Sequence, residues 1–527
     1  MKNRSLIVNE DNKIYVLEKD DISYEAEAAI NLFATLIKAP IGVHTYQLDE
    51  YSLWSAAALG YNSHDITAKI QEFSKNIIPA DVTNYISLIV REFWTIKLYV
   101  GNDLTIKVKR KEVMDKLLNS KLINRLLVNT VNYQMLLFNI NDLSKLKEEI
   151  TNLNIFIEEY NGDYRWISLD YKVNVDLYKY QKDALDQILY ENNRFSYVRG
   201  VITMPPGAGK TVIGLKVIEK LKVKTLVLVK DEHSYKNWCE EISKWTSLSL
   251  DNVSYQEESE KFINIFTYTK AVKELSSSEF QKKWGLIIYD DARALATPTR
   301  KKTAFISSKY KLAMDSLLDR PSNELKIYKV IGPKLFNITI NQMEKVYGQI
   351  PVECKFVKLE HKFWEVKSGE KTIHAVGKNL YKIDASRKIA KAHNNIVFVS
   401  SFKDIAEKFK NELKDGQAID GDASIEEREE LVKKFNNKLI NKIIVTEIVE
   451  NLKIINIDAL IAISFRGVSI RDEYIRIGKI KSSNDLFCGK VGYYYALVTK
   501  NTEEEQSYRE VIRQMVKHGY RYSILDL

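Results

Sequence analysis

Eight consecutive residues, Met204-Pro205-Pro206-Gly207-Ala208-Gly209-Lys210-Thr211, could bind the phosphates of a nucleotide. They follow the apolar run Val201-Ile202-Thr203 and precede the amphipathic stretch VIGLKVIEKL, which predicts a strand, a glycine-rich turn and a helix. Glycines let backbone N–H groups curl around phosphates, and a helix N-terminus favours negative charge. We expect the backbone from Pro206 to Thr211 to line the phosphates, Lys210 to neutralise them and Thr211 to hold Mg²⁺. The general pattern has glycine where Met204 stands, and a plain turn with a surface lysine is the alternative, but the context favours nucleotide binding.

A second motif ends the apolar run Trp284-Gly285-Leu286-Ile287-Ile288-Tyr289 with two acids, Asp290 and Asp291. A strand that delivers acids at its C-terminal end is typical of a Walker B element. Asp290 would then bind Mg²⁺ through water, and Asp291 would be the candidate base for an attacking water. Acids at a strand end are also common turn formers, so this motif alone does not indicate catalysis. Its occurrence in the same α/β layer as the phosphate loop favours the catalytic interpretation.

Parallel strands must position these motifs, and the hydrophobic pattern predicts such strands twice. From Leu177 to about Asn337, β-branched runs such as TLVLV and LIIYD alternate with amphipathic segments, as in a parallel sheet flanked by helices. From about Arg387 the pattern returns with IVFVS, IIVTE, ALIAIS and YYYALV. We therefore predict an α/β fold with a mixed α/β N-terminal domain over 1–165, an ATP-binding layer over 166–340, a connecting segment over 341–385 and a second layer over 386–527.

Composition excludes several classes of protein. A chain of 527 residues is too long for one core, and 45% hydrophobic with 28% charged residues excludes a mostly disordered protein. The 79 basic and 70 acidic residues give a net charge of +9, which permits a polyanionic partner without requiring one. No apolar window predicts a membrane span, and the start, MKNRSLIVNEDNKIYV, lacks the apolar core of a signal peptide. The three cysteines are far apart, which favours a reduced intracellular location and argues against a zinc site.

The two motifs inside two α/β layers resemble the core of the superfamily 2 helicases, and further residues narrow the match. Leu177-Tyr178-Lys179-Tyr180-Gln181 is similar to the adenine-recognition element of that superfamily, in which Tyr180 and Gln181 would contact the base. The segments NNIVFVSSFKDIAEKF and IIVTEIVE are similar to its motifs IV and V. The resemblance implies nucleic-acid contacts at motif residues Trp238, Thr267, Tyr268, Ser400 and Thr446.

Three regions resemble the XPB family, which contains the DNA translocase of the transcription and repair factor TFIIH and its archaeal relatives. They are YQLDEYSLWSAAALGYNSHDITAKIQEFSKNIIP, IGPKLFN and the ending REVIRQMVKHGYRYSIL. The resemblance implies two tandem RecA-like domains, ATP and Mg²⁺ in the cleft between them, and movement on double-stranded or forked DNA in repair or transcription. It also implies an intracellular protein, cytoplasmic in a prokaryote and nuclear in a eukaryote, and it allows for a nuclease or repair-factor partner.

Several motifs depart from the family pattern, chiefly where hydrolysis rather than binding is concerned. The family has Asp-Glu-x-His where this chain has Asp290-Asp291-Ala292-Arg293, so the candidate base is one methylene shorter. Motif III should read Thr-Ala-Thr and reads Ala313-Met314-Asp315, without paired hydroxyls. The next Arg-Glu-Asp element falls on Leu318-Asp319-Arg320, and Gly-x-Asp of motif V falls on Leu452-Lys453-Ile454.

Motif VI, Gln-Arg-x-Gly-Arg-x-x-Arg in the family, reads Ile475-Arg476-Ile477-Gly478-Lys479-Ile480-Lys481-Ser482. We expect Arg476 and Lys479 to face the ATP from the second layer. Lys479 takes the place of the arginine finger and keeps the charge but lacks the bidentate fork. These departures leave open a second hypothesis, a hydrolysis-deficient ATP- and DNA-binding scaffold derived from the motor. A nuclease or metal enzyme is a third hypothesis, but the sequence shows no clustered acids or histidines for it beyond the ATP pocket.

Three further features have both a functional and a structural interpretation. Trp54 and Tyr61 could contact DNA or a partner, but helical packing on a small core is favoured. Tyr493-Tyr494-Tyr495 could stack on bases, but a buried strand with one solvated ring is favoured. The run Lys107-Val108-Lys109-Arg110-Lys111 could bind DNA phosphates, although such runs are usually a solvated edge.

Overall fold

The computed structural model describes residues 4–17, 21–39, 42–161, 171–189, 198–205, 207–257, 260–277, 280–281, 284–316, 328–345, 351–364, 372–413, 417–419, 425–446, 454–465, 470–481, 491–517 and 519–526. They form two compact units. Apart from the short segments 38–44 and 205–208, the first unit comprises residues up to Ile338 and the second the residues from Thr339 onward. Among the residues described, no helix has the length and apolar character needed to cross a bilayer.

The chain begins with a four-stranded sheet in the order β1-β2-β4-β3. Its strands are Leu6–Val8, Lys13–Leu17, Thr35–Lys38 and Val43–Gln47, and its helices are Asp21–Ile30, Glu50–Ala58, Ser63–Phe73 and Ala80–Arg91. Alternate residues of β2, Ile14 and Val16, are buried because successive side chains of a strand point to opposite faces. The helix from Ser63 starts at a capping box formed by Asn62 and Asp65.

A five-stranded sheet follows in the order β7-β8-β6-β5-β9, and it has its own hydrophobic core. Strands β5 to β9 are Trp94–Val100, Leu104–Val108, Leu127–Asn132, Met135–Phe138 and Ile155–Asn161. The helices are Lys111–Leu118, Lys121–Leu126 and Leu143–Asn152, with a 3₁₀ turn over Ile140–Asp142. The region for which the sequence predicted one mixed domain therefore contains two sheets with separate cores.

The first unit also contains a seven-stranded parallel sheet in the order β12-β13-β11-β14-β15-β10-β16. Strands β10 to β16 are Arg199–Thr203, Thr225–Val229, Val253–Tyr255, Ile263–Thr267, Trp284–Asp290, Ser308–Asp315 and Lys334–Asn337. The helices are Lys179–Leu189, Lys210–Leu221, Glu232–Trp245, Tyr268–Glu274, Pro298–Lys301 and Tyr328–Ile331, with 3₁₀ turns over Leu250–Asn252, Ala292–Ala296 and Lys302–Phe305. Almost every residue of β10, β11 and β14 is buried, as expected for strands covered on both faces.

The second unit contains another parallel seven-stranded sheet, in the order β19-β20-β18-β21-β22-β17-β23. Strands β17 to β23 are Val352–Leu359, Ile396–Ser400, Gln417–Ile419, Lys442–Thr446, Ala459–Ala462, Gly492–Thr499 and Tyr522–Asp526. The helices are Ile340–Lys345, Thr372–Gly377, Leu380–Ala390, Lys403–Leu413, Ile425–Asn436, Ile470–Lys481 and Glu503–Lys517. These two sheets confirm the predicted tandem α/β layers. The second layer starts earlier than predicted, because β17 comes from the expected connecting segment and pairs with β22 along its whole length.

The structural interpretations of two aromatic features are confirmed. Trp54 is 2% exposed and belongs to a core that also contains residues of the first seven-stranded sheet. Tyr494 and Tyr495 are buried in β22, and Tyr493 is partly exposed. Lys107 and the charged residues Lys109 to Lys111 are exposed, and their contact with DNA stays a prediction.

Within the first unit, a buried charge cluster joins the five-stranded sheet to the seven-stranded one. Glu159 of β9 accepts a bond of 2.8 Å from Lys147 Nζ, pairs with Arg199 of β10 at 3.2 Å, and lies 3.9 Å from Lys311 of β15. The Ser307 hydroxyl also donates to Glu159. Burial would raise the pKa of the Glu159 carboxyl, but the three cations together lower it to about 2. The carboxylate therefore stays charged and is the common partner of three buried cations.

Replacing this carboxylate should destabilise the protein strongly. In Glu159→Gln, three buried cations would lose their anion, and breaking a buried pair costs about 3–5 kcal/mol. Denaturant unfolding should show that loss, whereas the neighbouring Glu158→Gln, whose nearest cation Lys97 is 3.9 Å away and partly exposed, should cost about 1 kcal/mol or less. The same measurement at low pH should show wild-type stability falling as the pH drops below about 4.5 toward 2, where Glu159 becomes protonated in the folded state. Equal losses for the two variants would contradict the proposed importance of the cluster.

Candidate functional site

The predicted nucleotide residues lie at one edge of the first seven-stranded sheet. Strand β10 ends at Thr203 and leads into the phosphate loop, and β14 ends at Asp290. Strand β15 lies between them, with Thr203 opposite Asp315 and Asp290 opposite Met314. Because all three strands are parallel, their carboxyl ends share one edge, so the phosphate loop, Asp290 and Asp315 lie close together.

The phosphate loop has the backbone geometry that its glycines predict. Gly207 and Gly209 both have a φ of +79°, a left-handed conformation that favours glycine. A Cβ at Gly209 would also collide with the side-chain amide of Gln181. The helix Lys210–Leu221 starts directly after Gly209, so its free N–H groups and positive dipole end lie at the loop. The position therefore requires glycine, because a side chain would collide with Gln181. The helix end beside it is suited to bind an anion.

The ammonium group of Lys210 lies over the loop and close to the strand-end acids. Its Nζ donates to the carbonyl oxygen of Met204 at 2.8 Å and to the Ser316 hydroxyl at 3.4 Å. Burial lowers the pKa of Lys210 to about 8, against the opposite effect of Asp290 and Asp315. The lysine is thus a poorly solvated cation, which a phosphate would stabilise.

Asp290 is held by two aromatic residues of neighbouring elements. The Trp238 indole N–H donates to Asp290 Oδ2 at 2.9 Å, and the Tyr268 hydroxyl donates to the Asp290 carbonyl oxygen at 3.0 Å. Burial raises the pKa of the Asp290 carboxyl, and the Trp238 bond and Lys210 act against it. One carboxylate oxygen is therefore fixed in direction by the indole.

These contacts correct part of the predicted nucleic-acid set. Trp238 and Tyr268 are 1% and 0% exposed, so their rings position Asp290 and are not available to nucleic acid. In the second unit, Ser400 and Thr446 are paired neighbours at the ends of β18 and β20, but both are buried, and the Ser400 hydroxyl donates to the Phe402 carbonyl oxygen. Of the five residues, Thr267 alone is partly exposed, and it caps the helix that starts at Tyr268. Nucleic-acid contact by Thr267 stays a prediction.

The predicted base, Asp291, is paired with the arginine two residues later. Asp291 has a φ of +51°, and its Oδ1 lies 3.3 Å from both Nε and Nη2 of Arg293. Arg293 Nε also lies 3.0 Å from Oδ1 of Asp315, a fully buried carboxylate. Burial raises the pKa of Asp315 to about 6, although Arg293 acts to lower it. The residues at which the second and third motifs depart from the family pattern thus form an ion pair with each other.

The adenine-recognition segment lies beside the loop with its two tyrosines stacked. Gln181 is 5% exposed, and its Oε1 accepts the N–H of Tyr178 at 3.0 Å. Tyr180, the predicted base contact, is 2% exposed, whereas Tyr178 is 37% exposed and its ring stacks on that of Tyr180. The more accessible ring is therefore that of Tyr178, which the sequence analysis did not select. Its place just before the helix Lys179–Leu189 was the available signal.

The two predicted motif VI cations differ in their surroundings within the second unit. Arg476 is 9% exposed, and its Nη1 donates to Glu473 Oε1 at 2.9 Å. Glu473 also accepts the hydroxyls of Tyr494 and Tyr508, at 2.8 and 2.6 Å. Within its own layer the Arg476 guanidinium is thus held by Glu473, and its contact with a phosphate stays a prediction. Lys479, in contrast, is partly exposed.

Several predicted positions lie outside the described residues. They are Pro206 of the phosphate loop, the element Leu318-Asp319-Arg320, Leu452 and Lys453 of motif V, and Ser482 of motif VI.

Three family models match successive parts of the chain. Residues 6–132 match a helicase conserved C-terminal domain, residues 174–316 the res subunit of type III restriction enzymes, and residues 363–526 the ERCC3/RAD25/XPB C-terminal helicase. Among solved structures, the Hef helicase domain of Pyrococcus furiosus aligns with a TM-score of 0.45 and 13% identity, covering 63% of this chain and 97% of that one.

Curated relatives match over the whole chain. The DNA 3'-5' helicases XPB of Kineococcus radiotolerans and Mycobacterium tuberculosis are 25% and 24% identical, covering 100% of this chain and 97% and 98% of those proteins. The general transcription and DNA repair factor IIH helicase/translocase subunit XPB of Enterocytozoon bieneusi is 25% identical, covering 99% of this chain and 92% of its own.

Two parallel seven-stranded layers in tandem, the first with a phosphate loop beside strand-end acids, place the chain in the class of tandem RecA-like ATP-dependent proteins of superfamily 2. The end-to-end matches narrow the resemblance further: along its whole length the chain is similar to XPB-type superfamily 2 helicases. The resemblance drawn from the motifs is confirmed.

The bond from Trp238 to Asp290 should matter for metal-dependent nucleotide binding. In Trp238→Phe, Asp290 loses the donor that fixes its carboxylate, and such changes behind a metal ligand cost about 10–100-fold in metal affinity or activity. A titration of Mg²⁺ against binding of a fluorescent ATP analogue should show a half-saturation point raised to about that extent. The matched control is Trp245→Phe on the same helix, whose indole bonds Glu241 at 2.8 Å. A shift of equal size in both variants would assign the effect to general loosening of the helix.

Proposed function

We propose that the protein is an ATP-dependent DNA translocase or helicase of the XPB type that acts in DNA repair or transcription. The observation that carries this proposal is the convergence of Lys210, Asp290 and Asp291 at one sheet edge, beside a left-handed glycine turn and a helix N-terminus. Its support outside the structure is the match along the full chain to proteins named as XPB helicases.

The residues at this edge fit a nucleotide with a divalent cation. The helix from Lys210 offers N–H groups and a positive dipole end to the phosphates, and the Lys210 ammonium is poorly solvated without an anion. Thr211 and Asp290 are the residues that would hold Mg²⁺, which supplies charge neutralisation to the transferring phosphoryl group. Trp238 keeps the Asp290 carboxylate directed, so the site needs little rearrangement to accept the ion.

Asp291 has the chemistry and the position for the base. Its carboxylate follows Asp290 directly, and the pair with Arg293 fixes its direction. It is one methylene shorter than glutamate, which would set the carboxylate about 1 Å back, and a displacement of that size can cost about 10²-fold in rate. We therefore propose slow turnover compared with an enzyme that has glutamate at this position.

The DNA partner is proposed from the family and from charge. A net charge of +9 permits binding to phosphates, and such binding weakens as salt rises. We propose double-stranded or forked DNA as the track. A nuclease or repair-factor protein partner is compatible with the names of the relatives, several of which are factor IIH subunits.

A second candidate function, a hydrolysis-deficient ATP- and DNA-binding scaffold, is favoured by the two cations of motif VI. Arg476 is held by Glu473 inside its layer, and Lys479 stands where the arginine finger is expected. Loss of a finger costs about 10³–10⁵ in rate, and lysine recovers only the charge. A protein that binds ATP without turning it over would still change its conformation if ATP binds one state more tightly.

Steady-state ATP turnover with and without duplex DNA separates the two functions. For a motor we expect turnover that DNA stimulates and that Lys210→Ala abolishes. The variant removes the ammonium group that lies over the phosphate loop. Tight ATP binding without turnover would favour the scaffold, and absence of both would reject the nucleotide site. Lys270→Ala, which removes one partner of the surface pair with Glu274 in the same layer, is the control and should leave turnover unchanged.

Restoring the family residues should raise the rate. Asp291→Glu extends the base by about 1 Å, and Lys479→Arg restores the fork, so the double variant should turn over ATP about 10-fold to 1000-fold faster than the wild type. ATP affinity should change much less, because neither change adds a contact at Lys210. A double variant no faster than the wild type would show that these two positions do not limit the natural protein.

A further inference from the structure

Arg293 and Asp315 form an ion pair at the centre of the site, although neither belongs to the predicted nucleotide contacts. Strand β15 lies between β10 and β14, so its last residue, Asp315, lies between the phosphate loop and the acids of β14. Arg293, in the 3₁₀ turn that follows β14, reaches this residue with its Nε at 3.0 Å from Oδ1.

Asp315 anchors the guanidinium from the buried side. Its side chain is 0% exposed and accepts the N–H of Ser316 at 2.6 Å and the hydroxyl of Tyr328 at 3.3 Å. An unpaired carboxylate is very costly at such a position, so the pair with Arg293 cannot be given up easily. Ser316 also accepts Lys210 Nζ at 3.4 Å, which links the anchor to the phosphate loop.

The same guanidinium holds the candidate base. Arg293 Nε and Nη2 both lie 3.3 Å from Asp291 Oδ1, and the Asp291 backbone is in the left-handed region, with a φ of +51°. A planar guanidinium presents several N–H groups in a fixed fork and so can bond two carboxylates at once. An ammonium on a flexible stem lacks that fixed geometry.

We propose that Arg293, anchored by Asp315, is a positioning residue that sets the direction of the Asp291 carboxylate for ATP hydrolysis. Its effect is on the chemical step and not on nucleotide binding, because the phosphate contacts belong to the loop and to Lys210. The inference rests on the proposed function, since it concerns the orientation of that function's base.

The decisive variant is Arg293→Lys, with Asp315→Asn as the second. Lysine keeps a cation beside buried Asp315 and so preserves stability, but it cannot bridge both carboxylates with fixed geometry. We expect a thermal unfolding midpoint close to that of the wild type, a kcat lowered about 10–100-fold, and an ATP affinity within about threefold. Asp315→Asn keeps the shape and removes the anchor, and should lower kcat in the same way. Because the two residues act as one unit, the double variant should be no slower than the slower single variant.

The measurements are steady-state turnover, equilibrium binding of a fluorescent ATP analogue, and thermal unfolding of the full chain, with Lys270→Gln as the surface ion-pair control. If Arg293 had a purely structural role, Arg293→Lys would keep both the turnover and the stability of the wild type. That result would overturn the proposal. Losses that add in the double variant, or a fall in affinity equal to the fall in kcat, would also overturn it. If Arg293→Lys does not fold, Asp315→Asn decides by the same criteria. If the wild type shows no turnover, the proposed function itself fails. If the wild type turns over ATP and the variants are unaffected, only the positioning role of Arg293 fails.

Discussion

The site depends on one constraint: ionisable groups gathered at the buried edge of a parallel sheet must satisfy one another. Three acids and two cations lie there, with Asp315 fully buried and Arg293 and Asp291 partly exposed. Each charge has a partner of opposite sign within the network from Lys210 through Asp290 and Asp315 to Arg293. A buried charge without such a partner would change its protonation state or destabilise the fold. The sheet order creates this edge, because it places β15 between the strand of the phosphate loop and the strand of the acids.

Of these strands, β15 is held by ion pairs at two places. Arg199 and Lys311, toward the amino ends of β10 and β15, contact Glu159 of the five-stranded sheet, and Asp315 at the other end of β15 contacts Arg293. Lys311 and Asp315 are four residues apart, about 13 Å along a strand. The N-terminal region is thus fixed to the strands that carry the site. A second set of contacts, in which Lys334 of β16 donates to the Ala34 carbonyl oxygen and the Ser52 hydroxyl, fixes the four-stranded sheet to the same layer. A force applied to the N-terminal sheets would therefore act on the ATP-binding layer directly.

The sequence predicted what depends on local pattern and missed what depends on sheet order. Lys210 and Asp290 lie in motifs that follow short apolar runs, which predict strands, and the spacing within each motif is that of a nucleotide site. Trp238 was expected to contact nucleic acid, yet its spacing of four from Ile242 on one helix face is the pattern of a buried stripe, and both are buried. Asp315 ends an apolar run as Asp290 does, so the sequence contained the signal for a third strand-end acid. Its pairing with Arg293 could not be predicted, because only the position of β15 between β10 and β14 brings the two together.

The departures from the family pattern are therefore of two kinds. Arg293 and Asp315 each break a motif when considered singly, but together they replace lost hydroxyl and histidine contacts with an ion pair, so the two changes compensate each other. Lys479 keeps only the charge of the expected arginine finger. Arg476 donates to Glu473, which also accepts the hydroxyls of two tyrosines. The fold alone does not require a charged pair at this place, because apolar residues of similar volume are often as stable or more so. The presence of this pair thus argues for an ATP site that still performs chemistry.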